Sequence, residues 1–252
     1  MNAAAHRAAI LAEGRAVADL PASGLGAAVA ACPGWDVERL IGHLGRVHTW
    51  ATAFLAAGPG SEGDVDSGPR PAAGEEVLPW YRDRLDALVA ELERHDPDEA
   101  ARGFAGPTDV RFWLRRQAHE ISMHRWDAQD AMTPGRAIPF AAPLAVDGID
   151  EWLDVFVPRF LARAEGPPPE LVGATLHVHC TDEHRAEGAG EWLLRLTDGG
   201  AEVERTHAKG DAALRGPASD LLLAVWHRVD LDQIDVVGDA DRAQQVLDLI
   251  RV

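Results

Sequence analysis

Cysteine is scarce in this chain. Cys32 and Cys180 are the only two among 252 residues, so there is no disulfide framework and no Cys-x-x-Cys pair. That scarcity suits a reducing compartment, and a cytoplasmic location is the expectation. Long apolar runs are absent too: none approaches the roughly 20 residues that a membrane-crossing helix needs. The N-terminal stretch MNAAAHRAAILAEGRAVADL carries charges every few positions and lacks the uninterrupted apolar segment of a secretory leader. Lysine is almost missing, with Lys209 as its single instance, so positive charge rests on arginine. Lys and Arg total 24 against 41 Asp and Glu, a formal net charge of −17. That sign excludes nucleic acid and anionic membranes as main partners. GDAALRG, at 210–216, lacks the spacing and the lysine of a phosphate loop. No internal repeat is present.

What is there reads as helices first and strands later. Residues 3–19 form an amphipathic helix, and 20–34 a loop rich in Pro and Gly. Asp36 suits the N-cap of a second helix, to about Ala57. Its stripe is read as Leu40, His43, Leu44, Val47, Ala51 and Phe54, which turns His43 inward. His48 lies about 140° further round and should face elsewhere. A loop over 58–74, a lid candidate, precedes a third helix over 75–94. A loop over 95–107 leads to a Thr108 or Asp109 cap and a fourth helix, stopped by Pro134 and Gly135. Four such helices fit a bundle. Residues 144–164 continue as a helix with Pro158 as a kink, and GPPPE at 166–170 is a turn or linker. Strands are expected at 174–182, 191–200, 202–207, 210–218 and 232–239. Helices are expected from Ser219 or Asp220 and over 242–250. The fold class is α+β: a four-helix bundle over 1–140, then a small α/β domain over 141–252, the boundary falling within 135–170.

The fourth helix, VRFWLRRQAHEISMHRWDAQDAM, contains neither Gly nor Pro. Trp113, Gln117, Glu120, Ile121, His124, Ala128 and Ala131 recur at helical spacing along one side. Glu120 and His124 stand one turn apart on that side, where an unpaired carboxylate and imidazole would be costly. With His43 they make two imidazoles and a carboxylate, a common catalytic metal set that leaves positions open for water or substrate. The competing reading is a Glu–His hydrogen-bonded pair with His43 as a separate core histidine. His119 is about 100° away from Glu120 and reads as flanking. Asp127 would orient the His124 imidazole from behind, or form an ordinary salt bridge. His177 and His179 share a strand face, but no third ligand is evident beside them. Cys32 precedes a helix N-terminus, a position that can lower a thiol pKa. The eight tryptophans read mostly as core.

CPGWDVERLIGHLGRVHTWA (32–51) and WLRRQAHEISMHRWDAQDA (113–131) resemble the mycothiol-dependent maleylpyruvate isomerase family. LHVHCTD, GEWLLRL, DAALRGPASDLLLAVWHRV and VVGD, in that order, are similar to its C-terminal domain. The resemblance implies a DinB-like metal-binding bundle followed by a sterol-carrier-like domain. At CPGW it implies a structural turn, and so a buried structural thiol at Cys32. It places the family's metal ligands on His43, Glu120 and His124, for a divalent ion usually taken as zinc; nickel and iron accept the same set. It places Arg228 where the family has an arginine suited to a substrate carboxylate. A helix C-terminal arginine complementing the dipole is the other role for that residue. His227 departs from the pattern, because a small residue such as Gly is expected there.

The implied activity is metal- and mycothiol-dependent cis–trans isomerisation, by thiolate addition to maleylpyruvate and elimination, in a cleft between the two domains. A mycothiol S-transferase acting on another electrophile would show the same motifs. A non-catalytic metal- or lipid-binding stress protein is the reading from another class. Partners are then a small-molecule thiol and an electrophilic substrate, with no nucleic acid and no membrane, in a monomer or homodimer.

Overall fold

The computed structural model describes residues 1–61, 65, 68–104, 106–182 and 190–251. Five residues of the 58–74 loop, the lid candidate, lie outside the described residues. The chain divides into two compact units, Met1–Ile138 and Pro139–Val252. No described helix is long and apolar enough to cross a membrane.

The first unit is built on four helices: α1 (Ala3–Ala18), α2 (Val37–Ala57), α3 (Val77–Glu93) and α4 (Val110–Met132). Their starts follow from side-chain caps. Asn2 caps α1, Asp36 accepts from the Arg39 N–H at 2.8 Å, and Asp109 accepts from the Phe112 N–H at 3.0 Å. α1 packs on α4 and α2 on α3. The second contact is close because Gly45 faces the Trp80 ring: a Cβ there would stand 2.2 Å from it.

Of the expected α2 stripe, Leu40, Leu44, Ala51 and Phe54 are buried, whereas His43 and Val47 are only partly covered; Val37, Ile41, His48 and Leu55 are buried as well. His48, expected to face away, is fully buried, whereas the His43 side chain is 34% exposed. α2 is apolar over a wide arc, and packing against α3 and α4 covers the side that carries His48 as well. The cost of burying that imidazole is offset by a 2.8 Å hydrogen bond to Gln117 Oε1, with Tyr81 Oη 3.5 Å away on its other side.

α4 is covered on more than one side. Arg116, Gln117, His119, Ser122, Arg125 and Asp127 are buried along with its apolar residues. His119, read as flanking Glu120, is itself buried and stands outside the group of His43, Glu120 and His124. Glu120 and His124 sit at the edge of the buried surface, with side chains 20% and 12% exposed. The segment before α4, expected to be loop, contains a hairpin of β1 (Ala100–Gly103) and β2 (Gly106–Asp109). Neither AARG nor GPTD is rich in strand formers, so its signal is backbone pairing and not composition. Trp113 fastens it by donating its indole N–H to the Arg102 carbonyl at 2.8 Å.

In the second unit, α5 (Ala142–Glu151) passes through a π-helical stretch, Trp152–Phe156, into α6 (Val157–Arg163). Pro158 has no N–H and its ring crowds the preceding turn, so the hydrogen-bond ladder widens just before it. Five strands follow: β3 (Thr175–Cys180), β4 (Glu191–Thr197), β5 (Gly200–Glu204), β6 (Ala212–Gly216) and β7 (Asp235–Gly238). They make one sheet of order β5-β4-β3-β6-β7, in which only the β3–β6 pair is parallel. α7 (Ala218–Val225) follows β6 and α8 (Ala240–Asp248) follows β7. The class is α+β, a helical unit followed by a sheet-containing one.

Neither Ser219 nor Asp220 caps α7. Pro217 holds the N-cap position without a side-chain bond, Asp182 accepts from the Ala218 N–H at 2.7 Å, and Ser219 Oγ accepts from the Phe140 N–H at 3.0 Å. On β3, Leu176, Val178 and Cys180 point into the core, which sends His177 and His179 to the opposite face. A third group, invisible as a neighbour in the sequence, stands beside them. Glu191 on β4 lies opposite His179 in register.

Candidate metal centre

α2 and α4 bring His43, Glu120 and His124 together. His43 Nε2 is 3.2 Å from Glu120 Oε1, and His124 Nε2 is 3.4 Å from the same oxygen. The two imidazole rings meet edge to face with centroids 5.3 Å apart. Their ligating atoms all lie within 4.8 Å of one another. On α4 the pairing is local geometry, since residues four apart are neighbours on a helix surface. His43 is brought in by the packing of α2 against α4.

The groups behind Glu120 and His124 fix the charge of those two residues. Arg116, one turn before Glu120, donates to Glu120 Oε2 at 3.0 Å. His124 Nδ1 donates to Asp127 Oδ2 at 2.9 Å, leaving Nε2 turned toward Glu120. Burial alone would raise the Glu120 carboxyl. Hydrogen bonds from His124 and His43, with the Arg116 charge, outweigh it and hold the carboxyl well below the usual carboxylate range. Burial likewise disfavours the charged form of His124, but the Asp127 and Glu120 carboxylates prevail and raise its pKa to about 9. His48 shows the contrast. Burial lowers its pKa to about 4, against the opposing hydrogen bond to Gln117, so it is a neutral core histidine.

The donor set is suited to a borderline divalent ion. It offers two imidazoles and one carboxylate, and a carboxylate behind one imidazole, which is how metal-ligating histidines are oriented. Of the three residues, His43 lines an open cavity of about 890 Å³, together with Trp35, Arg39, Arg46 and Trp50 among others. Trp35 packs against the His43 ring with centroids 5.0 Å apart, and the Arg39 guanidinium lies 4.9 Å over Trp35. Cys32 is half-buried and not buried as expected; its Sγ lies within 4.8 Å of ligating atoms of His124 and Asp127.

Residues 6–129 match the model of the mycothiol maleylpyruvate isomerase N-terminal domain, and residues 143–245 match that of the MDMPI C-terminal domain. The chain belongs to the mycothiol-dependent maleylpyruvate isomerase family. Two crystal structures share its fold. One is of a mycothiol-dependent maleylpyruvate isomerase, with a TM-score of 0.63 at 10% identity over 95% of each chain. The other is of a histidine-to-alanine mutant under the same name, with a TM-score of 0.63 at 9% identity over 95% of each chain. No curated protein matches the chain.

Within the part that matches the family's C-terminal domain, Arg228 follows α7 directly. Trp226 caps the helix, the His227 N–H donates to Ala224 O at 3.0 Å, and the Arg228 N–H donates to Leu223 O at 2.8 Å. That bonding requires a left-handed residue at His227, whose φ is +57°. Glycine takes this conformation without strain, which is the physical reason to expect a small residue there. The imidazole is anchored by a 3.1 Å contact from Nε2 to the Leu247 carbonyl. Arg228 Nη1 donates to the Trp226 carbonyl at 2.9 Å, the contact expected of an arginine at a helix C-terminus.

Sequence reasoning had overlooked Arg116, although its spacing of four from Glu120 was a usable signal. Arg39 and Arg46, four before and three after His43 on α2, carried the same signal; Trp35 carried none, because the 32–36 turn sets where it stands. That turn is held by the Ala28–Asp36 bridge and by the Trp35 N–H donating to Cys32 O at 2.9 Å.

Proposed function

We propose that the protein is a metal- and thiol-dependent isomerase of the maleylpyruvate type, with mycothiol as its thiol and zinc, or nickel or iron, as its ion. The observation that carries this reading is the convergence of His43, Glu120 and His124, with His43 lining an open cavity, within a chain of this family. An ion held there would supply a thiolate near neutral pH, able to add to a cis double bond and depart after rotation, with no net redox change.

The chain's own residues do the rest. His43, Glu120 and His124 bind the ion. Asp127 holds the Nδ1 proton of His124, so that Nε2 presents a lone pair. Arg116 keeps Glu120 ionised and aimed. Arg39 and Arg46 line the cavity together with Asp36 and Glu38, and either guanidinium is suited to a substrate carboxylate. Arg228 is assigned to a substrate carboxylate as well.

S-transfer to a bulkier electrophile is the second reading, favoured by the size and openness of the cavity. Metal content by mass spectrometry comes first, on wild type and on His43→Ala and Glu120→Ala. An equivalent present in wild type and lost in both variants supports the bundle site. Failure of the wild type to retain zinc, nickel or iron after reconstitution overturns it. Incubation with mycothiol and maleylpyruvate then separates the enzyme readings: return of free thiol marks an isomerase, and a stable conjugate a transferase.

A further inference from the structure

The sheet of the second unit carries a cluster that the proposed activity does not use. His177 and His179 are two residues apart on β3 and share a face. Glu191 stands directly across from His179 on β4. His207 lies three residues past the end of β5, the strand that pairs with β4. Its approach is fastened by Arg205, which donates to Asp150 Oδ1 at 2.8 Å and to Asp154 Oδ1 at 2.8 Å.

The three imidazoles form a nearly equilateral triangle, with centroids 5.8, 5.3 and 5.6 Å apart. All three turn a nitrogen to the same carboxylate oxygen, Glu191 Oε2. His177 Nε2 is 3.4 Å from it, His179 Nδ1 is 3.2 Å from it, and His207 Nδ1 is in direct contact. One oxygen does not satisfy three donors. His177 Nε2 and His179 Nδ1 are buried without a hydrogen-bond partner, and the His177 side chain is only 6% exposed. Native proteins seldom leave such atoms unpaired. A cation among these four side chains would satisfy them together, since their ligating atoms all lie within 4.8 Å of one another.

We propose that His177, His179, Glu191 and His207 form a second site, for a first-row divalent cation of the zinc class. Three imidazoles and one carboxylate, with no thiolate, make a borderline ligand set that also accepts cobalt. Four protein ligands suit a closed, structural site, one that clips β3, β4 and the segment after β5 together. This proposal shares no residue with the bundle centre and does not rest on the isomerase reading.

Cobalt(II) is the probe, titrated into metal-free full-length protein and followed by its visible absorption and by stoichiometry. His207→Ala removes an exposed ligand, and Glu191→Gln keeps the shape of a half-buried one while removing its charge. Each is expected to lower bound cobalt by one equivalent, or to weaken that equivalent by about tenfold or more, as even supporting partners of metal ligands do. Glu120→Gln reports the bundle site separately. If only the sheet variants lose cobalt, the sheet site stands and the bundle reading fails. If only Glu120→Gln loses it, this proposal is overturned. If the sheet variants do not fold, paramagnetic broadening of the His177, His179 and His207 ring signals in wild type decides, and its absence overturns the proposal.

Discussion

His124 can ligate a metal only as a neutral imidazole, and the metal-free protein holds its proton tightly. With a pKa of about 9, the neutral form at pH 7 is about one part in a hundred. Removing that proton at pH 7 costs about 2.7 kcal/mol, two pH units at about 1.4 kcal/mol each. Metal affinity is therefore expected to rise about tenfold per pH unit from pH 7 to 9 and to flatten above, with one proton released per ion bound at the low end. Asp127→Asn is the informative perturbation. It removes the largest contribution that raises the His124 pKa and leaves burial, which lowers it, less opposed. The variant should bind metal more weakly at pH 9, where proton competition is gone and orientation by Asp127 is what remains. Its affinity should also vary less between pH 7 and 9. Competition against a chromophoric chelator at each pH measures both proteins, and their ratio cancels the chelator's own pH dependence. A wild-type affinity that is flat from pH 7 to 9, or an identical slope in Asp127→Asn, would refute this account of the site.

The same proton has a consequence for stability. A pKa raised by folding contributes stability that is complete below the unfolded value of about 6.5 and is lost as pH rises through the folded value. Metal-free protein is expected to lose up to about 3 kcal/mol between pH 6.5 and 9, seen as a fall in Tm that metal-loaded protein does not share. Glu120 acts in the opposite direction: its lowered pKa contributes stability above the ordinary carboxylate range, lost as pH falls through the folded value, so acid should unfold the bundle readily. His48→Ala should cost about 2–4 kcal/mol in chemical denaturation through a cavity and an unpaired Gln117, yet leave metal stoichiometry unchanged; lost metal would place His48 in the site. His227→Gly should be close to neutral in Tm because relief of the left-handed strain offsets the lost Leu247 contact, and a Tm drop like that of a buried-core truncation would contradict the capping argument. Arg228→Lys, assayed with maleylpyruvate and mycothiol, should raise KM with little change in kcat if its guanidinium holds a carboxylate; an unchanged KM would leave it only the role of capping α7.

The helical half was legible where the signal was local. The α4 periodicity, the Asp36 and Asp109 caps, and the one-turn spacing of Glu120 and His124 all follow from neighbours within a few residues. α2 was harder, because a helix that is apolar over a wide arc offers more than one stripe. The choice between His43 and His48 as the inward histidine depended on Gln117 and Tyr81, which lie on α4 and α3. The β1–β2 hairpin gave no compositional signal, since Ala, Arg, Gly, Pro, Thr and Asp hold it by backbone pairing alone. Pro158 announced a disturbance, but only the ladder shows that the chain answers with a π-helical stretch before it.

The two histidine clusters show why one kind of site is easier to read than the other. On a helix, a residue and its i+4 neighbour are forced together, so Glu120 and His124 were a pair before any fold was known. On a strand, i and i+2 share a face, which sufficed to pair His177 with His179. The next partner in a sheet comes from another strand, and its identity depends on register. A shift of one residue between β3 and β4 would put Trp192 or Gly190 opposite His179 and turn Glu191 to the other face. His207 needs a second register, between β4 and β5, and then the Arg205 anchor to the α5 region. Each pairing is fixed by which face of the strand is buried, so the apolar alternation of Leu176, Val178 and Cys180 is what aligns the polar groups behind it. The cluster on the outer face is thus specified by the core on the inner one. A core substitution that slips β3 by one residue should disperse all four groups at once, whereas no single exposed change would.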